Sequence, residues 1–156
     1  SALDLFFLAA TWLGSLWLLV PSCVALFLFC HGRLRAHAWQ VSSTLLGAAL
    51  VVLVLKNLFL RARPELFPSL ISIPPDAAFP SGHAAQMMSV AVAIWLVVPA
   101  GCRLALGLVL LTVSLSVGWS RIYLQVHWPS DVMAGWAIGA LTAVLVDLAF
   151  RKRAAP

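Results

Sequence analysis

The chain has 156 residues, 63% of them hydrophobic and only 10% charged, with a net charge of +5 and a mean hydropathy of +1.02. A soluble domain is about 45–50% apolar and about 25% charged, so packing as an ordinary water-soluble globule is excluded and the bilayer is the solvent to consider. The positive charge does not point to nucleic acid, because no long basic run with interleaved aromatics occurs; basic loops on a membrane protein account for it.

The length predicts a single domain over residues 1–156, with room for about five or six spans of roughly 20 residues. Five apolar stretches follow in chain order: Leu5–Phe29, Ala38–Leu60, Ala84–Val98, Leu104–Trp119 and Val132–Phe150. The expected fold is all-α, a polytopic transmembrane helix bundle of about five spans. The first stretch is long for one span and contains Pro21. It reads as an interfacial segment near Asp4 that then crosses, giving six elements, with no signal-peptide pattern ahead of it. The third is short and draws on the polar residues before it.

The connections alternate in character. His31–His37, Pro99–Arg103 and the tail Arg151–Pro156 carry six basic residues: Arg33, Arg35, Arg103, Arg151, Lys152 and Arg153. The positive-inside bias assigns these, and the C-terminus, to the cytoplasm. Arg61–Pro80 and Ser120–Asp131 then face the periplasm or the cell exterior. Five prolines between Pro64 and Pro80 (Pro64, Pro68, Pro74, Pro75 and Pro80) predict a stiff loop rather than a helix. Gly135 and Gly139 form a G-x-x-x-G step whose expected use is close packing within the chain. Cys23, Cys30 and Cys102 have neither metal-ligand spacing nor a disulfide framework.

Three polar clusters fall on the outward face. Lys56 and Arg63-Pro64 are seven apart, which places both cations on one helical face over roughly two turns. Pro80-Ser81-Gly82-His83 stands directly before a span. Glycine there lets a ligand approach the backbone, a helix start offers free N–H groups to an anion, and His83 can donate a proton to a leaving oxygen. Ser120-Arg121 is followed by His127 and Asp131 at i and i+4, a spacing that brings imidazole and carboxylate together on one helical face. A carboxylate fixes the tautomer of such a ring, and Arg121 has the planar fork that suits phosphate oxygens. Each cluster has its own structural explanation: Lys56 snorkelling to headgroups, Ser81 capping a helix, a His–Asp tie between helices. Their convergence is what calls for a ligand. Three cations, two histidines and a carboxylate are the inventory of phosphoryl transfer.

With those residues in place, the chain resembles the type-2 phosphatidate phosphatase superfamily, which shares its site with vanadium-dependent haloperoxidases. The signatures K-x₆-R-P, P-S-G-H and S-R-x₅-H-x₃-D are complete and in order between residues 56 and 131. The resemblance implies His127 as the nucleophile that forms a phosphohistidine, with Asp131 orienting it. It implies His83 as the acid and then the base. Lys56, Arg63, Ser81, Gly82 and Arg121 would hold the phosphate. It further implies no metal and no cofactor, the bilayer as surroundings, and a lipid phosphomonoester or diphosphate as substrate: phosphatidate, phosphatidylglycerol phosphate, lipid A or a polyprenyl diphosphate such as undecaprenyl diphosphate. The location expected is a bacterial inner membrane with the site facing the periplasm. Relatives usually have six spans, against five here. Two rivals stand beside a phosphatase. A phosphotransferase would pass the phosphate to another acceptor, and a transporter or anion-binding protein would want its charges near the midplane and internal repeats. No oligomeric state is readable from the sequence.

Overall fold

The structure is a computed structural model and describes residues 1–67 and 69–154. Pro68 of the proline-rich segment and Ala155 and Pro156 of the basic tail lie outside the described residues. Six helices account for the regular structure: α1 (Ala2–Leu13), α2 (Leu16–Phe29), α3 (Gly32–Phe59), α4 (Gly82–Val97), α5 (Ala100–Tyr123) and α6 (Pro129–Ala154). No strand occurs among the described residues.

The first apolar stretch is two helices bent by 45° at Gly14-Ser15, not at Pro21. Ser15 caps α2 by accepting the Trp17 N–H at 3.2 Å, which starts a new helix where Gly14 ends the old one. Gly14 is small for a reason. A Cβ there would stand 2.5 Å from Val117 and 2.9 Å from the His83 carbonyl, so only glycine lets the elbow press on α4 and α5. Pro21 sits within α2 without ending it.

The other helices begin earlier than the apolar runs suggested. Much of His31–His37 is the first turns of α3, and Ala100–Arg103 opens α5. Gly32, at φ 56°, makes the sharp α2–α3 turn, and Pro99 precedes α5 as its N-cap. Three helices, α3, α5 and α6, are long and apolar enough to cross a membrane; the bent α1–α2 pair counts as a fourth, and α4 is a shorter apolar helix. Many large apolar side chains point outward, Trp17 (84% exposed) and Phe29 (81%) among them. Such a surface suits hydrocarbon and not water, so the protein is integral to a membrane.

Helix α4 is the hub, packed against α3, α5 and α6. Its contact with α6 is close because Gly135 and Gly139 present bare backbone. A Cβ at Gly135 would lie 2.6 Å from the Ser81 carbonyl, and one at Gly139 would lie 2.9 Å from the Ser89 nitrogen. The G-x-x-x-G step is therefore used inside the chain. On the other side, Gly118 of α5 leaves space for Trp136 of α6, whose indole N–H donates to the Ser114 carbonyl at 3.1 Å. This topology puts the C-terminal ends of α3 and α5 beside the N-terminal ends of α4 and α6, and the three polar clusters singled out from the sequence lie at those ends.

Candidate active site

Helix α3 stops at Phe59, with Leu60 in the left-handed region as its C-cap. Arg63 is therefore beyond the helix and does not share a helical face with Lys56, contrary to the spacing argument. The two cations meet through the loop instead. Lys56 Nζ lies 3.0 Å from one oxygen of Asp76 and Arg63 NH2 lies 2.6 Å from the other. Lys56 also donates to the Ala77 carbonyl, and Arg63 Nε to the Asp76 carbonyl at 3.1 Å.

His127 and Asp131 are likewise not partners on one helix. Helix α6 starts at Pro129, so His127 belongs to the preceding loop and Asp131 to the first turn. The approach survives in another form: His127 Nδ1 is 3.5 Å from Asp131 Oδ2, both side chains nearly inaccessible. That is long for a hydrogen bond and short enough to close in a complex. Asp131 is fixed from elsewhere, by Arg61 NH1 at 2.7 Å and by the Trp128 N–H at 2.9 Å. The Trp128 indole donates to the Ala62 carbonyl, and the Ser81 N–H donates to the Asp131 carbonyl, so the loops are stitched to both helix starts.

The tautomer of His127 follows from its other nitrogen. Nε2 is 3.2 Å from Arg63 NH1, and a guanidinium only donates. Nε2 must then carry the lone pair and Nδ1 the proton, aimed at Asp131. Burial pushes the His127 ring down to about 4, with Asp131 acting in the opposite direction and Arg121, Arg63 and Lys56 adding to the depression. At neutral pH the ring is uncharged, and its Nε2 electron pair accepts from Arg63 NH1.

Arg121, in the last turn of α5, is buried and donates to Thr11 of α1 at 2.5 Å. Its Nε, the Ser81 hydroxyl and His127 Nδ1 are buried polar atoms without a hydrogen-bond partner. Such atoms are costly, and here all three belong to residues singled out from sequence. Ser81 sits at the N-cap of α4 but makes no side-chain cap bond, so capping does not explain it. A cavity of about 450 Å³ is lined by Lys56, Arg63, Gly82, His83, Arg121 and His127, with Ser15, Leu16 and Asp76 at its walls. Ser81 and Asp131 stand behind it. The structure thus brings all eight sequence-expected residues to one place.

Sequence reasoning missed three neighbours. Arg61 and Asp76 were placed on this face but given no partners, and Thr11 was hidden in the first apolar stretch. Thr11 shares that stretch with Ser15 and Ser22, so no signal in the sequence set it apart. For Arg61 and Asp76 the pairing depends on how an irregular loop folds back, which no periodicity reports.

The first conclusion is one of class: an integral-membrane helix bundle whose helix ends build a buried, basic, two-histidine pocket. The chain belongs to the PAP2 superfamily, whose pattern matches residues 37–155. It is 30% identical over 140 residues to an undecaprenyl-diphosphatase of Sulfolobus acidocaldarius, across 85% of this chain and 63% of that protein. The crystal structure of Aquifex aeolicus LpxE is similar with a TM-score of 0.78 and 26% identity, covering 95% of this chain and 87% of that one. The first transmembrane PAP2-type phosphatidylglycerolphosphate phosphatase from Bacillus subtilis gives a TM-score of 0.85 at 26% identity, covering 97% of this chain and 78% of that one. The chain spans slightly less than two thirds of the length of that undecaprenyl-diphosphatase.

Proposed function

We propose that the protein is a membrane phosphatase that hydrolyses a lipid phosphomonoester or diphosphate through a phosphohistidine on His127. The observation that carries this is the cavity itself: a neutral imidazole lone pair among three cations, with a second histidine on the same wall. The relatives' named activities toward undecaprenyl diphosphate and phosphatidylglycerol phosphate support the reaction class.

In this reading Lys56, Arg63 and Arg121 take the phosphate oxygens, helped by the Ser81 hydroxyl and the Gly82 N–H at the α4 start. A Cβ at Gly82 would make only ordinary contacts with the protein, at 3.5 Å and beyond, so glycine serves ligand access rather than packing. His127 Nε2 attacks phosphorus as the bond to the leaving oxygen breaks, and Asp131 stabilises the imidazolium that forms. His83 gives its proton to that oxygen, and the dianionic phosphate supplies the negative charge that keeps the proton there until it is needed. Water then attacks phosphorus while His83 takes one of its protons, and the P–N bond breaks with its electron pair returning to Nε2. Phosphate leaves and His127 regains its lone pair.

A lipid fits because the cavity does not end at the cations. Leu16 and Ala49 line it and also line a second, apolar cavity of about 390 Å³ between α2 and α3, which continues past Val20 and Leu46 to Phe27 and Trp39. A phosphate in the first would leave its hydrocarbon along the second. We take residues 1–156 as one domain with five crossings, counting the α1–α2 pair once and including α4. The arginine-rich ends lie in the cytoplasm and the site faces the periplasm of a bacterial inner membrane.

The test is phosphate release in detergent from phosphatidate, phosphatidylglycerol phosphate, a polyprenyl diphosphate and p-nitrophenyl phosphate, with His127→Ala as blank. Release from at least one lipid is expected, and release undiminished in the blank sinks the nucleophile. Ala49→Trp, which plugs the neck between the cavities, is expected to raise KM for long-chain lipids by roughly tenfold or more while sparing p-nitrophenyl phosphate. Equal effects on both would remove the tail from the groove.

A further inference from the structure

Asp76 lies outside the three signature motifs and yet touches both cations of the first one. We propose that Asp76 is a positioning residue of the phosphate site, holding Lys56 and Arg63 in a single register so that their remaining donors converge on the ligand. This rests on the phosphatase reading of the same cavity.

Donor accounting supports the assignment. Arg63 has five N–H groups, and four have partners: the Asp76 carbonyl, the Asp76 carboxylate, the Val126 carbonyl at 2.7 Å and His127 Nε2. Lys56 has three, and two go to the Asp76 carboxylate and the Ala77 carbonyl. Each cation is left with one directed donor and almost no freedom to turn. A flexible lysine and an arginine with no helix beneath it would otherwise have to be ordered by the substrate at a cost in affinity. Burial pulls the Asp76 carboxyl upward, but the bonds from Lys56 and Arg63 outweigh this and hold it below the usual range, so it is ionised at neutral pH.

The alternative is that the carboxylate plugs the site and is displaced by phosphate. The backbone argues against it. Two main-chain carbonyls of the same segment bind the same two cations, and the Ala78 N–H donates to the Arg61 carbonyl at 2.8 Å, with Ala78 fully buried. Moving the segment away would break these main-chain bonds, so a plug could withdraw only by rotation of the half-exposed Asp76 side chain, which is the motion the variants below test. Beside it, the unpartnered Arg121 Nε and Ser81 hydroxyl remain free to receive an anion.

The test compares wild type, Asp76→Asn, Asp76→Ser and Asp76→Glu in detergent. Orthovanadate binding is measured by calorimetry, which needs no turnover, and KM and kcat are measured on whichever lipid phosphate the wild type hydrolyses. The Asn and Ser variants are expected to weaken vanadate binding and raise KM by about tenfold, with kcat changed much less, the loss associated with a charge-assisted contact. Glu is expected to restore most of the affinity. Tighter vanadate binding in Asn or Ser identifies a plug and overturns the proposal, as does unchanged affinity. A fall in thermal stability with no change in affinity and no rescue by Glu also overturns it. If the Asn chain does not fold, the Ser chain carries the same test. A wild type that binds vanadate but releases no phosphate refutes the phosphatase reading and leaves the Asp76 result standing.

Discussion

Helix α6 carries two buried carboxylates, one near each end, and they are treated differently. Asp147 accepts from Gln40 of α3 at 2.9 Å and from Arg151 at 2.6 Å, and among the described residues no buried orphan atom belongs to this cluster. Asp131 has Arg61 and a backbone N–H, but the ring it faces is held at 3.5 Å, and three orphan atoms belong to the residues nearby. A satisfied polar cluster within a membrane ties helices together and asks for nothing more. An unsatisfied one, at the other end of the same helix, has buried polar atoms to offer the ligand proposed above. Burial of charge is common to both ends; incomplete satisfaction is what separates them.

That contrast can be broken in several ways. Replacing His127 with Ala should have the largest effect, lowering phosphate release on the order of a thousandfold or more with little change in melting temperature. A comparable loss of melting temperature would make the pair a structural tie like the Asp147 cluster. Gly135→Val comes next. It drives a side chain into the Ser81 carbonyl, and a shift of about 1 Å in Ser81 and His83 should cost activity by roughly a hundredfold. Full activity with a folded bundle would show that the α4–α6 approach does not set the site.

A titration sharpens the comparison. His127 should titrate near pH 4, against an ordinary value of 6.5, in a histidine-labelled NMR experiment. Because the folded pKa lies below the unfolded one, the ring's contribution to stability is complete above pH 6.5 and is lost as pH falls toward 4. A midpoint at 6.5 would mean the ring is solvated and not poised. The smallest effect is expected from Asp147→Ala: on the order of 1 kcal/mol of stability, seen as a lower melting temperature, with unchanged turnover per folded molecule. Altered KM in that variant would link the two ends.

Much of this was legible from sequence because membrane helices and phosphate chemistry both leave strong signals. Apolar length located α3 to α6 to within a few residues at their site ends, and the motif residues Lys56, Ser81, His83, Arg121, His127 and Asp131 all meet. What failed was geometry inferred from spacing. A spacing of seven from Lys56 to Arg63 looked like two helical turns, but Leu60 ends the helix and a loop brings Arg63 back. A spacing of four from His127 to Asp131 looked like one turn, but Pro129 starts the helix between them. In both cases the right neighbours were found through the wrong backbone, since a local period cannot see a loop stitched by Asp76, Arg61 and Trp128. Two elements were expected from the first stretch and two are found, but the place of the elbow at Gly14 escaped for a related reason: hydropathy is continuous across it, and only the close approach of α4 and α5 requires the break there.

The two short turns at the end away from the pocket each carry a thiol. Cys102, in the first turn of α5, is exposed, Cys30 between α2 and α3 is half-buried, and Cys23 is shut inside the bundle. The native chain therefore comes with its own sidedness marker. A membrane-impermeant maleimide added to intact cells should leave Cys102 unmodified and react with it once the inner face is opened, reporting which compartment meets the pocket without a single engineered residue.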